Sequence, residues 1–244
     1  YVNAAGIYEE VQRTSPDNGR TYTVFNQINA PAADHLLTNP EGWGQDYRGL
    51  LFSLTKRYSH RWMLNASLTL SRAEGLNLSS GSTGGYGFAL VWLTKKFGTD
   101  PNDLVNARGA LNLDRRWSLK VSGVYEFPFG ILASANVVCQ QGRPRIRFVR
   151  IYELDQMPGS FYAVIAEPKG TERYSDQLMV DLRVQKSFEF GKTFQLQLFA
   201  DIFNLFNDDT YYAYRDYNSW SEAYGVPSEM ARPRRVQVGA KIQF

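Results

Sequence analysis

Histidine is the side chain best suited to move protons near neutral pH, and it occurs twice, at His35 and His60. The two are far apart, both in loop or turn sequence, and neither has a second His or Cys at metal-ligand spacing. One cysteine, Cys139, excludes an internal disulfide framework and a thiolate metal cluster. It sits on an apolar strand face, where packing is its natural role. There is no Gly-x-Ser-x-Gly nucleophile elbow and no phosphate loop ending in Gly-Lys-Ser/Thr. The glycine-rich stretch from Ser79 to Gly87 lacks the following lysine and helical pattern of a nucleotide cradle, and reads as a flexible external loop. Asp100, Asn102 and Asp103 miss the spacing of a calcium loop, although an oxygen-rich loop of this kind can bind calcium weakly. The residues point to no enzyme, no metal centre and no cofactor.

One constellation suits binding. Residues 208–224 interleave aromatics with acids and amides, and Tyr211, Tyr212, Tyr214, Asp216, Tyr217 and Trp220 form its centre. Aromatic faces stack on sugars or grip a peptide, while the polar groups fix orientation. The same residues could instead form an upper aromatic girdle running into a self-packed loop.

The elements that must position this loop are strands. In 61–71, Trp62, Leu64, Ala66, Leu68 and Leu70 alternate with Arg61, Met63, Asn65, Ser67, Thr69 and Ser71. The pattern returns in 116–127 and in 177–190, where Leu178, Val180 and Leu182 oppose Asp181 and Arg183. A period of two puts the sets on opposite faces. Such segments are long for a soluble sandwich, where about 5–6 residues is usual, and suit tilted membrane strands. Tight turns at Tyr58–His60, Pro128–Gly130 and Gly191–Lys192 alternate with long polar stretches at 30–45, 73–113, 143–176 and 208–233. That alternation is the plan of an outer-membrane barrel.

Composition agrees. Aromatic residues make up 14% of the chain, a load that fits strands and membrane interfaces. The net charge of +3 is too small to imply a nucleic-acid partner. No apolar run reaches the 18 or so residues of a transmembrane helix. A mean hydropathy of −0.37 is compatible with a barrel, since half of its strand residues face a polar lumen.

Nine strands are expected, at roughly 2–13, 20–29, 46–58, 60–72, 114–127, 130–142, 177–190, 192–206 and 234–244. The 143–176 loop is expected to add a hairpin from Ile146–Tyr152 and Phe161–Ile165. Closed bacterial barrels have even strand numbers, so the odd count predicts an open wall. Trp62, Leu64, Leu68, Leu70, Leu119, Val121, Leu178, Val180, Leu182, Val238 and Ile242 should face lipid. Arg61, Asn65, Lys120, Asp181 and Arg183 should face the opposite way.

Several phrases carry a family resemblance. Leu113-Asp114-Arg115-Arg116 leads into Ser122 to Gly130; Val180-Asp181-Leu182-Arg183 and Phe199-Ala200-Asp201-Ile202-Phe203-Asn204-Leu205-Phe206-Asn207 follow. The last strand alternates and ends on Phe244, with Gln237, Gly239 and Ile242 at the spacing of an outer-membrane assembly signal. Together they resemble the final strands of TonB-dependent outer-membrane receptors, in the branch carrying a carboxypeptidase-regulatory-like domain.

The resemblance implies a 22-stranded barrel with a plug, in the outer membrane of a Gram-negative bacterium, taking up a nutrient. The chain then reads as a single barrel segment spanning 1–244, all-β and antiparallel, with short periplasmic turns and long extracellular loops. Plug and upstream strands would come from the same parent protein or a partner chain. Implied partners are the lipid bilayer, the barrel-assembly machinery through the C-terminal strand, and, only through the plug, an energy-coupling inner-membrane complex. Two other classes stay open: a non-transporting surface barrel for adhesion or assembly, and a soluble β-rich binding module.

Overall fold

The structure is a computed structural model that describes residues 7–29, 44–76, 100–191 and 194–244. The glycine-rich stretch and His35 lie outside the described residues. The chain enters as a hairpin, β1 (Tyr8–Thr14) and β2 (Thr21–Gln27), followed by two long strands, β3 (Gln45–Ser59) and β4 (Trp62–Leu76). A short β5 (Arg108–Ala110) precedes β6 (Trp117–Phe127) and β7 (Ile131–Gln140). Four small strands then lie in one connection: β8 (Pro144–Arg145), β9 (Phe148–Ile151), β10 (Tyr162–Ile165) and β11 (Glu172–Arg173). The chain continues through β12 (Gln177–Phe190) and β13 (Phe194–Phe203), crosses β14 (Tyr211–Tyr214) and β15 (Pro227–Met230), and finishes in β16 (Arg235–Gln243).

Seven of these strands build one antiparallel wall, in the order β16-β13-β12-β7-β6-β4-β3, with β5 added to β4. Their lengths, 9 to 15 residues, match what a tilted strand needs to cross a bilayer. β3 and β16 occupy the two edges and do not pair, so the wall is open, as the odd count requires.

The register aligns the period-two pattern from strand to strand. Phe52, Leu68, Leu119, Cys139 and Leu178 form one cross-strand row. Gly123, Ala135, Leu182, Ile202 and Val236 form another. On the other face, Thr55, Asn65, Ser122, Asn136 and Asp181 are aligned. So are Val124, Ser134, Arg183, Asp201 and Gln237. The expected apolar set therefore shares one face, and Asn65, Lys120, Asp181 and Arg183 share the other. Arg61 instead occupies the turn after β3, where it and His60 take positive φ of 68° and 52°. Apolar side chains such as Val236 and Val238 remain 66% and 77% exposed. An apolar face of this extent needs lipid against it.

The first two expected wall strands belong elsewhere. β1 and β2 pair only with each other. Tyr22 and Val24 pack with Val149, Ile151, Leu154, Val164 and Ala166, taken from β9, β10 and their surroundings. Among the described residues the wall thus has seven long strands rather than nine. The hairpin alternates like a wall strand because it too has one buried face, but its 7-residue strands are too short to span the bilayer. The anticipated hairpin in 143–176 forms as β9–β10. A second cluster joins Leu76, Ala107, Phe148 and Ile165, with Tyr217 and Trp220 against it. The described parts of the long connections are a packed cap, and they hold the molecule's most deeply buried apolar side chains, Val24, Val149 and Ile151.

Candidate functional site

Three of the phrases that carry the family resemblance, Leu113–Arg116, Val180–Arg183 and Phe199–Asn207, lie where wall meets cap, while Ser122 to Gly130 runs to the opposite turn. At three points along the junction a carboxylate takes a backbone N–H that the strand ladder has left free. Ala73 N donates to Asp114 Oδ1 at 2.7 Å, Gly142 N to Asp176 Oδ1 at 3.0 Å, and Leu178 N to Asp208 Oδ2 at 2.9 Å. Asp114 is 2% exposed and also pairs with Arg173 across the cap. Burial alone would raise the Asp208 carboxyl, but the Thr210 hydroxyl and the N–H groups of Leu178 and Thr210 outweigh it and hold it low. Gly142 is required here, because a Cβ at that position would collide with the Tyr174 carbonyl.

Asn204 closes the last connection. It has a φ of 54° and is 2% exposed, and its own N–H donates to Asp181 Oδ1 at 2.9 Å. Its Nδ2 donates to the carbonyls of Asp208 and Arg232 at 2.9 and 2.8 Å, and its Oδ1 accepts from Asp208 N at 2.8 Å. Asn207, at φ 52°, accepts from Arg234 N at 2.9 Å. The two asparagines pin the two ends of the 208–233 connection together, as their residue type suggests.

The cap is fastened by charge. Arg145 and Arg147 reach Glu172 and Glu167, and Arg20 also reaches Glu167 at 3.0 Å. Arg150 grips Asp17 through its backbone N–H at 2.7 Å and through Nε and Nη2 at 2.9 and 2.5 Å. Burial would raise the Asp17 carboxyl, but these Arg150 contacts hold it below the usual carboxylate range. Asn102 imitates a strand partner: its side chain accepts from Phe25 N at 2.8 Å and donates to Phe25 O at 2.7 Å. Asp100 caps that turn, and its burial raises its carboxyl. Among the described residues, no three His, Cys, Asp or Glu side chains gather where a metal could sit.

The tyrosine-rich segment is drawn into this packing. Tyr211 and Tyr214 lie 5.6 Å apart, Tyr174 meets Tyr214 edge-on at 5.4 Å, and Tyr214 stands 6.1 Å from Tyr224. Burial raises the Tyr214 hydroxyl, and its hydrogen bond to Tyr211 adds to the effect. Tyr217 and Trp220 pack on the second core cluster, and Trp220 also meets Phe161 at 5.1 Å. Asp216 accepts the Asn218 N–H at 3.0 Å. Of the six candidate residues, Tyr212 lines an opening.

That opening is a cleft of about 330 Å³. Met179, Asp181, Phe203 and Arg235, from the polar face of β12, β13 and β16, form one side, while Tyr212, Met230 and Arg232 form the other. The Arg235 guanidinium lies 5.3 Å from the Phe203 ring centre. The alternation had marked Asp181 as facing away from lipid; the thioethers and arginines beside it gave no signal of their own, because they meet only through the fold.

At the opposite end the turns carry exposed aromatics, among them Phe127, Phe129, Phe188 and Phe190. Lys56, on the apolar face, turns back over the Trp62 ring at 3.9 Å and donates to the Ser59 and Trp62 carbonyls. Lys186 does the same toward Phe129 O and Phe188. These ammonium groups snorkel to the interface while their stems stay on the apolar face. In the last strand, Gly239 leaves the space that the Phe199 ring fills, and Arg183 stacks on that ring at 4.0 Å. Gln237 is paired with Asp201 in the register, Ile242 continues the apolar face opposite Leu196, and Phe244 is fully exposed.

Comparison with known structures finds similarity to an outer membrane transporter, YddB from Escherichia coli, at 13% identity and a TM-score of 0.47, covering 97% of this chain. The chain spans only 28% of that transporter's length. Comparison with curated protein sequences finds no match. A family model described as an outer membrane beta barrel domain matches residues 2–138, more than half of the chain. With an antiparallel wall of membrane-spanning length, apolar on one face, the chain belongs to the outer membrane β-barrel domain family and is a protein of the Gram-negative outer membrane.

Proposed function

We propose that this chain supplies barrel wall and external loops to a TonB-dependent receptor that takes up a nutrient. The observation that carries the reading is the position of the receptor-like phrases. Asp114, Asp181, Asn204 and Asn207 all serve as joints where the wall meets the cap. A receptor needs such joints, because its loops must hold ligand while anchored to a wall that does not move. The rest of the wall and a plug are assigned to the parent protein or a partner chain, and energy reaches the site through that plug from the inner-membrane complex. The role is transport without chemical conversion of the ligand.

The test is nutrient-dependent growth in cells that carry the full-length protein, with and without the inner-membrane coupling complex. Uptake should be lost when the complex is removed while the amount of protein in the outer membrane is unchanged. Uptake that persists would exclude coupled transport, and attachment to surfaces without any uptake would favour an adhesive barrel.

The C-terminal strand is proposed as the handle for the assembly machinery. It is an open edge, with Gln237, Gly239, Ile242 and Phe244 presented along it. Capture by backbone pairing with an aromatic anchor follows the logic of strand addition. Deleting Phe244 should lower the quantity inserted several-fold and leave uptake per inserted molecule unchanged. Normal quantity with lost uptake would place Phe244 in transport instead.

A further inference from the structure

We propose that the cleft between the polar face of β12, β13 and β16 and the β14–β15 hairpin binds a monoanionic organic acid: Arg232 and Arg235 hold the carboxylate, and Met179, Phe203, Tyr212 and Met230 hold an apolar body. What the cleft is used for rests on the receptor reading; how it binds rests on the geometry alone.

Charge is the first argument. Five of the cap's arginines are committed, with Arg143, Arg145, Arg147, Arg150 and Arg173 each set against an acid. Arg232 and Arg235 take no part in the ion pairs among the described residues, yet both border the cleft. Asp181 is the acid in the lining, and one of its oxygens is occupied by the Asn204 N–H. Two guanidinium groups against one carboxylate leave a single positive charge to be matched. A dianion would leave its second charge unanswered.

The shape of the lining is the second argument. Arg235 lies over the Phe203 ring at 5.3 Å, a position from which a planar guanidinium can turn its N–H edge to a carboxylate. Two thioethers and two aromatic rings then offer an apolar surface that adapts to the body behind that carboxylate. A volume of 330 Å³ lies at the small end of ligand cavities, which run from about 300 to 1,000 Å³.

Rigidity is the third. Asn204 lies in the lining and ties both ends of the hairpin's connection to β12, and Arg232 supplies one of the carbonyls that it binds. A site held in this way spends little affinity on ordering itself.

The experiment is ligand-observed NMR on native outer-membrane vesicles carrying the full-length protein, with vesicles lacking it as background. The probes are 4-phenylbutyrate and its uncharged amide. The acid should bind at least tenfold more tightly than the amide. The double variant R232Q/R235Q should remove that preference and leave weak affinity for both probes, and Met179→Trp, which fills the apolar floor, should weaken both. Protease resistance of the loops verifies that each variant is folded. Equal binding of acid and amide, binding of neither, or a preference that survives R232Q/R235Q would overturn the proposal. Because binding in vesicles needs no energised uptake, failure of the growth test above would remove the receptor reading, and an acid preference measured in the vesicles would leave the cleft standing.

Discussion

Asn204 shows how much one amide can hold. Its side chain and backbone join β12, the start of the 208–233 connection and its end through four hydrogen bonds. Alanine would remove the three that the side chain makes, each worth about 0.5–1.5 kcal/mol, and with them the local bonding that lets asparagine hold a positive φ. Asn204→Ala should therefore loosen the connection without unfolding the wall. External protease should cleave within 208–233 at least tenfold faster on intact cells, with the inserted amount unchanged. Asp17 makes a prediction with a sign. Its carboxyl is held low in the folded chain, so its contribution is complete above the unfolded value of about 3.9 and is lost as pH falls through the folded value. Protection of the β1–β2 amides from hydrogen exchange should fall in acid below about pH 4, and Asp17→Asn should abolish that dependence while lowering protection at neutral pH.

At the scale of elements, what was legible in the sequence was whatever depends on period and turn. Leu68 and Val121 announce their face because every second neighbour agrees with them. Lys56 and Lys186 break the pattern only because each ammonium can reach a turn carbonyl. What was not legible depends on contacts between separate connections of the chain. Val11 and Val24 alternate like wall residues, and nothing local says that their apolar face meets Val149 rather than lipid. The tyrosines from Tyr211 to Tyr217 announced aromatic surface, but the partners that absorb it, Tyr174 and Ile165 among them, come from another connection. The face assignment has a direct test. Leu68 lies mid-strand between Phe52 and Leu119, so Leu68→Arg should cost about 2–4 kcal/mol at the bilayer midplane, measured by reversible unfolding from lipid vesicles. A cost near zero would mean that Leu68 faces the lumen.

At the scale of the whole molecule, the wall and the cap divide two physical tasks. The wall solves the backbone problem posed by lipid, pairing its interior strands with one another and, among the described residues, leaving β3 and β16 as its edges. The cap solves the loop problem. Long connections would be costly to order if each stood alone, but the hairpin at the start, the turn at Pro101–Leu104 and the β9–β10 hairpin share one core.

The grip of Arg150 on Asp17 sets the order in which the molecule can be made. Closing a free chain over their separation of 133 residues costs about 4 kcal/mol from the (3/2)RT ln n term before any contact repays it. The wall has no such obstacle, because most of its strands pair with a chain neighbour. Zipping those hairpins first shortens the remaining search, so β1 and β2 meet early as a local pair and dock late. In pulse-labelling during refolding, amides of β6 and β7 should gain protection before those of Val24 and Val149, and simultaneous protection would contradict that order. Until docking is complete the apolar face of the first hairpin is uncovered, and this is the interval in which the nascent molecule most needs a chaperone.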